Sequence, residues 1–303
     1  LVTGANVVML YHNISNRTEP VVVVPVNPQP QPQIQEPEPE SVKPDFTIDQ
    51  AVSSISKEEL KEHLYYLASE ELEGRMSGKH GNVVAAEFIK KKFEEYGLQT
   101  ELDKFPILRV NRGHNREQGD DFTQNIYAYI IGSENPEEVI VIGAHMDHIG
   151  YGPSMSRSRQ IAIHPGADDN ASGTVALLQI AKAFAMMKDK VKRTVVFQSY
   201  SAEEMGLIGS QHYCNNPTFP RSNPSIKSHV FMLNMDMVGY LGKGQYFAGF
   251  HNGDSSLDIG RIISELNQKY TFAQQITSRG SGGSDHANFY NKHVPVAFLH
   301  TGG

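Results

Sequence analysis

Apolar positions recur along this chain at two different periods. Leu60, Leu64 and Leu67 follow one another at helical spacing behind Ser56-Lys-Glu-Glu59, where Ser56 can cap the first turn and Glu59 can reach back to the cap. A second amphipathic stretch over 82–96, with Val84, Phe88 and Phe93 apolar, stops at Gly97, a residue suited to the left-handed turn that ends a helix. Beyond it the pattern changes. Short β-type runs at 125–131, 139–142, 194–199, 229–234 and 294–299 predict strands, and helical patterns at 171–187 and 256–269 lie between some of them. Strands alternating with helices predict an α/β fold with a mixed, largely parallel central sheet flanked by helices.

Residues 21–44 follow neither period. There proline alternates with Val, Gln and Glu, and repeated proline removes backbone donors and favours an extended, semi-rigid spacer. The organisation expected is a tail and Pro-rich linker over 1–45, then one folded domain over 46–303 without internal repeats. Residues 1–11 are mildly apolar but lack the basic region and cleavage site of a whole signal peptide; they read as the remnant of a leader or anchor, or as an ordinary tail. A spacer of this kind suits a tether that holds a domain off a surface. That points to an exported protein, periplasmic, extracellular or surface-tethered.

Composition narrows the function classes. Of the 303 residues 39% are hydrophobic, enough for a real core, and the formal net charge is −7 with no Lys/Arg cluster, so no nucleic-acid partner is expected. The single cysteine, Cys214, excludes a disulfide framework and a cysteine-based structural zinc site. No run of about 18 apolar residues is present, so no membrane span is expected.

The candidate chemistry sits just past the apolar runs. Val139-Ile-Val-Ile142 leads into His145-Met-Asp147-His148, 194–199 leads into Glu203-Glu204, and 229–234 leads into Asp236. Ligands of open α/β sheets bind outside the carboxyl ends of the strands, so these groups can converge. A fourth segment, Asp168-Asp169-Asn170, opens the 171–187 helix. Each cluster alone could be a cap or a hydrogen-bonded pair, but Asp236 within an apolar run is costly unless something positive meets it. Asp169, Glu203, Glu204 and Asp236 bring about four negative charges into one mouth with no Lys or Arg beside them in sequence, a sum that two divalent cations would balance. Mixed imidazole and carboxylate ligands suit Zn2+, with Mn2+ or Co2+ as alternatives. Two such ions can share and activate a water, with a spare carboxylate as general base.

The segments His145-Met-Asp147, Gly166-Ala-Asp168-Asp169-Asn170-Ala-Ser-Gly173, Ala202-Glu203-Glu204-Met-Gly206-Leu-Ile-Gly209-Ser210 and Asn234-Met-Asp236-Met resemble, in order and spacing, the motifs of the bacterial-type M28 zinc aminopeptidases. The resemblance runs from about Ser56 to the end of the sequence. It implies a zinc-exopeptidase-like fold in which His145 and Asp236 bind one zinc, Glu204 binds the other and Asp169 bridges both. It further implies that Glu203 is the general base, that Asp147 orients His145, and that Ser284-Asp285-His286 lies beside the site. His148 has no role in that pattern. The family's fifth ligand is a histidine shortly after the last core strand, whereas here 294–299 is followed by His300-Thr-Gly-Gly303. The domain therefore reads as lacking its C-terminal end, with His286 and His300 as weak stand-ins and a second zinc held by carboxylates alone. The expected function is release of N-terminal residues from peptide substrates through a metal-bridging hydroxide. Carboxypeptidase or dipeptidase action, glutaminyl-cyclase-like chemistry and a non-catalytic peptidase-like binding domain are the alternatives. The Ser/Arg-rich loop around 155–160 is expected to border the substrate entrance.

Overall fold

The helical pattern behind Ser56 becomes α2 (Lys57–Leu67), preceded by the short α1 (Ile48–Ser53). Ser56 Oγ accepts the Glu59 N–H at 3.2 Å, but the Glu59 carboxylate does not return to the cap; it accepts from Lys182 at 2.5 Å and Gln179 at 3.0 Å. The Ser56 N–H goes instead to Gln179 Oε1 at 3.1 Å, so the expected box is half-formed. A reciprocal box closes one helix earlier, between Thr47 and Gln50. The computed structural model describes residues 46–110, 116–153, 155–240, 247–251, 257–270, 275–277 and 283–301. They fall in one unit, Asp45–Gly303. The expected tail and linker over 1–45 lie outside the described residues.

After α3 (His80–Glu95) come β1 (Gln99–Val110), β2 (Arg116–Ile130) and β3 (Asn135–His145), then α4 (Gly173–Met186), β4 (Arg193–Tyr200), α5 (Ile208–Asn215) and β5 (His229–Met235). The order ends with β6 (Phe247–His251), α6 (Leu257–Tyr270), β7 (Gln275–Thr277), α7 (His286–Asn291) and β8 (Val296–His300). The strands form an eight-stranded sheet in the order β1-β2-β4-β3-β5-β8-β6-β7. Its centre, β4-β3-β5-β8, is parallel, while the β1–β2, β2–β4 and β6–β8 pairs are antiparallel. Parallel strands are covered on both faces, and β4 is accordingly buried from Thr194 to Tyr200. One face packs Phe197 and Val195 on Ile89, Phe93, Leu177 and Leu178 of α3 and α4. The other packs Tyr127, Tyr200 and Val141 on Tyr213, Phe219 and Phe289. The edge strand β1 escapes sequence reading because it is polar and carries Pro106, a residue an edge tolerates. Among the described residues no helix is long and apolar enough to cross a membrane.

His229 sits within the second core. Its Nδ1–H donates to the Ser225 carbonyl at 3.0 Å, and the Tyr213 hydroxyl donates to Nε2 at 2.8 Å, a pattern that needs the neutral ring. Burial moves its pKa from the ordinary 6.5 down to about 4. The unfolded chain therefore binds the extra proton first. The contribution of His229 is whole above pH 6.5 and is lost as pH falls toward 4, an effect of about 3 kcal/mol. His229→Gln should unfold with a flatter stability–pH slope across that window in urea titrations. An unchanged slope would mean that this ring does not set it.

Candidate metal centre

Strand register puts the chemistry level at one sheet edge. His145, the last residue of β3, is paired with Tyr200 at the end of β4, and Gly143 is paired with Asn234 of β5. The chain then leaves β4 through Ser201 to Glu204 and leaves β5 through Asp236. The fourth segment, Ala167–Ser172, leads into α4, with Asp169 (φ −102°, ψ 100°) and Asn170 outside helical conformation. Asn170 is fully buried, donating to the Met235 carbonyl at 2.9 Å and accepting from Gly173 N at 2.9 Å.

Two groups of three side chains result. In the first, His145 Nε2 stands 3.3 Å from Asp236 Oδ1, 3.5 Å from Asp169 Oδ1 and 4.0 Å from Glu203 Oε2. In the second, His148 Nδ1 stands 2.8 Å from Glu204 Oε1 and 3.9 Å from Asp169 Oδ2. Each group, His145–Glu203–Asp236 and His148–Asp169–Glu204, gathers its ligand atoms within 4.8 Å, and each could hold a metal ion. Zinc ligands at about 2.0–2.1 Å in a tetrahedron stand about 3.3 Å apart. The two oxygens of Asp169 thus face different groups.

The ring of His145 is oriented for this. Its Nδ1–H donates to the main-chain carbonyl of Asp147 at 3.2 Å, while the Asp147 carboxylate lies at 3.6 Å, so Nε2 is the ring atom turned toward the carboxylates. The Asp147 carboxylate has a second task that the sequence does not announce. It accepts the N–H groups of Glu203 at 3.2 Å and Glu204 at 3.3 Å, and the Ser77 hydroxyl at 3.1 Å. Beneath both groups lies Arg75, 1% exposed, donating to the carbonyls of Leu67, Met146, Pro165 and Gly166. Nothing in the local pattern of Leu72-Glu-Gly-Arg75 reveals that clamp.

The electrostatics describe a surplus of negative charge. Burial pushes Glu203 up to about 9, with Asp285, Asp147 and Asp236 adding to the rise against His145. Burial likewise pushes Asp169 up to about 6, and Asp285, fully enclosed, up to about 7. Desolvation opposes the imidazolium of His145, yet Asp236 and Glu203 outweigh it and hold that ring well above its ordinary value. His145 Nε2 and Asp236 Oδ1 are buried without a well-formed hydrogen bond, a state costing about 1–3 kcal/mol per group. Cations seated among these atoms would satisfy both the unpartnered ring nitrogen and carboxylate oxygen and the charge.

His286 and His300 belong to neither group among the described residues. His286 stacks on Phe298 with ring centroids 4.4 Å apart, and His300 Nδ1 donates to the Asp236 carbonyl at 2.8 Å. Cys214 is buried, and burial pushes its thiol up, as befits a structural residue. A hollow of ≈ 550 Å³ is lined by Glu73, Met76, Lys79, His80, Tyr151 and Ile163, so the 150–165 loop contributes two of its walls. Arg157 and Arg159 of that loop are exposed.

Comparison with known proteins gives one family. Peptidase family M28 matches residues 125–303. Leucine aminopeptidase 1 of Trichophyton equinum is 26% identical over 270 residues, covering 86% of this chain and 67% of its own length. Leupeptin-inactivating enzyme 1 of Streptomyces exfoliatus is 28% identical over 228 residues, 75% of this chain and 44% of its own. Among solved structures, LapA aminopeptidase of Legionella pneumophila superposes with a TM-score of 0.61 at 24% identity over 88% of this chain and 67% of that one. BSAP, a zinc aminopeptidase from Bacillus subtilis, gives 0.64 at 15% identity over 81% and 85%. These two structures share the fold. The chain spans about two-thirds of the length of the Trichophyton relative.

Proposed function

Since the chain belongs to peptidase family M28, we propose that it is a two-zinc aminopeptidase, releasing N-terminal residues from peptides. The observation that carries this reading is the Asp169 carboxylate, one oxygen 3.5 Å from His145 Nε2 and the other 3.9 Å from His148 Nδ1, with Glu203 beside the first group. Relatives named leucine aminopeptidase support the aminopeptidase direction over the carboxypeptidase one.

His145 and Asp236 would hold one zinc, Glu204 the other, and Asp169 both. Bound zinc supplies a Lewis acid for the scissile carbonyl and lowers the pKa of a coordinated water to near 7. Glu203 takes the proton of the attacking water and returns it to the leaving amine. Burial raises its proton affinity, and the positive charge of bound cations would draw it back so that the carboxylate is ionised and can accept that proton. Asp147 fixes the Glu203–Glu204 backbone from below, so the base and the second ligand move together.

The test is zinc per chain by elemental analysis, alongside hydrolysis of aminoacyl anilides. About two zincs are expected, with activity abolished by a chelator and restored by zinc. Full activity in rigorously metal-free protein, or no metal uptake at all, would overturn the reading. Asp169→Ala should depress occupancy of both positions together, whereas loss of only one zinc would remove the bridging role.

A further inference from the structure

We infer that His148 is itself a metal ligand, supplying through Nδ1 the imidazole of the second position beside Glu204 and Asp169. This rests on the two-metal reading above and assigns a residue that the family resemblance leaves idle. Its distances to Glu204 Oε1 and Asp169 Oδ2, 2.8 and 3.9 Å, bracket the spacing of about 3.3 Å expected between ligands of one tetrahedral zinc. The two positions then match. Each has one imidazole, one carboxylate of its own and one oxygen of Asp169.

The ring is held where a ligand must be. Gly166 has φ +60°, and a Cβ there would lie 2.5 Å from Cγ and 2.6 Å from Cδ2 of His148, so only glycine admits the imidazole against this turn. The His148 N–H reaches the Arg75 carbonyl at 3.4 Å, and the Arg75 guanidinium donates to Met146 O and Gly166 O, both at 2.8 Å. Arg75 thereby joins the segment bearing His148 to the one bearing Asp169. At 12% side-chain exposure His148 faces the mouth of the site rather than solvent at large. Among the described residues, no other histidine joins Glu204 and Asp169 in a ligand group.

Two measurements on the full 303-residue chain test this. Zinc X-ray absorption on protein loaded to two equivalents counts imidazoles without any substitution. One imidazole per zinc on average is expected, and one per two zincs would overturn the inference. Calorimetric titration of stripped protein with Zn2+ is then compared among wild type, His148→Gln and Glu204→Gln. Both variants should keep the position formed by His145 and Asp236 and weaken the other by about 100-fold or more, since loss of an outer partner alone costs 10–100-fold. Two wild-type sites with His148→Gln unchanged would leave His148 merely hydrogen-bonded to Glu204 and overturn this inference alone. A wild type that binds no zinc would overturn the two-metal reading, and this inference with it.

Discussion

Replacing Glu203 by glutamine is expected to lower kcat on aminoacyl anilides by about 10³–10⁴-fold while zinc content stays at the wild-type level. The amide is isosteric and leaves the Glu203 N–H on Asp147 Oδ1 at 3.2 Å, so the backbone of 203–204 has no reason to shift. In the proposed mechanism, what it removes is the acceptor for the proton of the attacking water. Glu203 lies 4.0 Å from His145 Nε2, farther than Asp236 at 3.3 Å or Asp169 at 3.5 Å, which is why occupancy should survive. Parallel zinc analysis separates the two roles that its position allows. Lost activity with retained zinc identifies a base, lost zinc identifies a ligand, and a rate within about tenfold of wild type would assign the proton transfer elsewhere.

Arg75→Met should cost about 3–5 kcal/mol of folding stability, the largest effect expected from any change outside the ligand set. Its guanidinium is 1% exposed and donates to four main-chain carbonyls from three separate segments. Burial draws its pKa down only to about 10, so it is charged at neutral pH, facing the negative charges of Asp147, Asp169 and Glu204. A methionine fills much of the volume but takes a donor from four main-chain carbonyls, those of Leu67 and Met146 buried, and leaves those carboxylates without their counter-charge. Arg75→Lys should recover part of the loss only, because a single ammonium cannot reproduce the planar fork that reaches all four oxygens. Urea unfolding of the three proteins measures this. A penalty below about 1 kcal/mol for Arg75→Met would show that water or backbone adjustment replaces the clamp.

Much of this molecule was legible from the order of its residues. Of the parallel strands, β4 and the second half of β3 are buried on both faces, and β5 largely so, and they write themselves as apolar runs. His145, Glu203, Glu204 and Asp236 stand where those runs stop, at the carboxyl ends of the strands, which is where open sheets bind their ligands. Helices α2, α3 and α4 were marked by period and cap. The edge strand β1 and the short α5 and α7 were not, since a polar edge and a helix of two turns carry little periodic signal.

What only the tertiary structure decided are the relations between segments. His148 meets Glu204 across 56 residues, and Arg75 reaches the Gly166 carbonyl across 91. Asp147 turns its carboxylate to the Glu203–Glu204 backbone and leaves its carbonyl to His145. A local pattern specifies which residue types stand at a strand end, because burial and hydrogen bonding act on each element by itself. It does not specify distances of 3 Å between atoms that leave different strands, which follow from register, from the turn at Gly166 and from the packing of buried side chains. The residue types available to this protein were therefore written in its sequence, and the pairing of the His145 and His148 imidazoles around the Asp169 carboxylate was written by the fold.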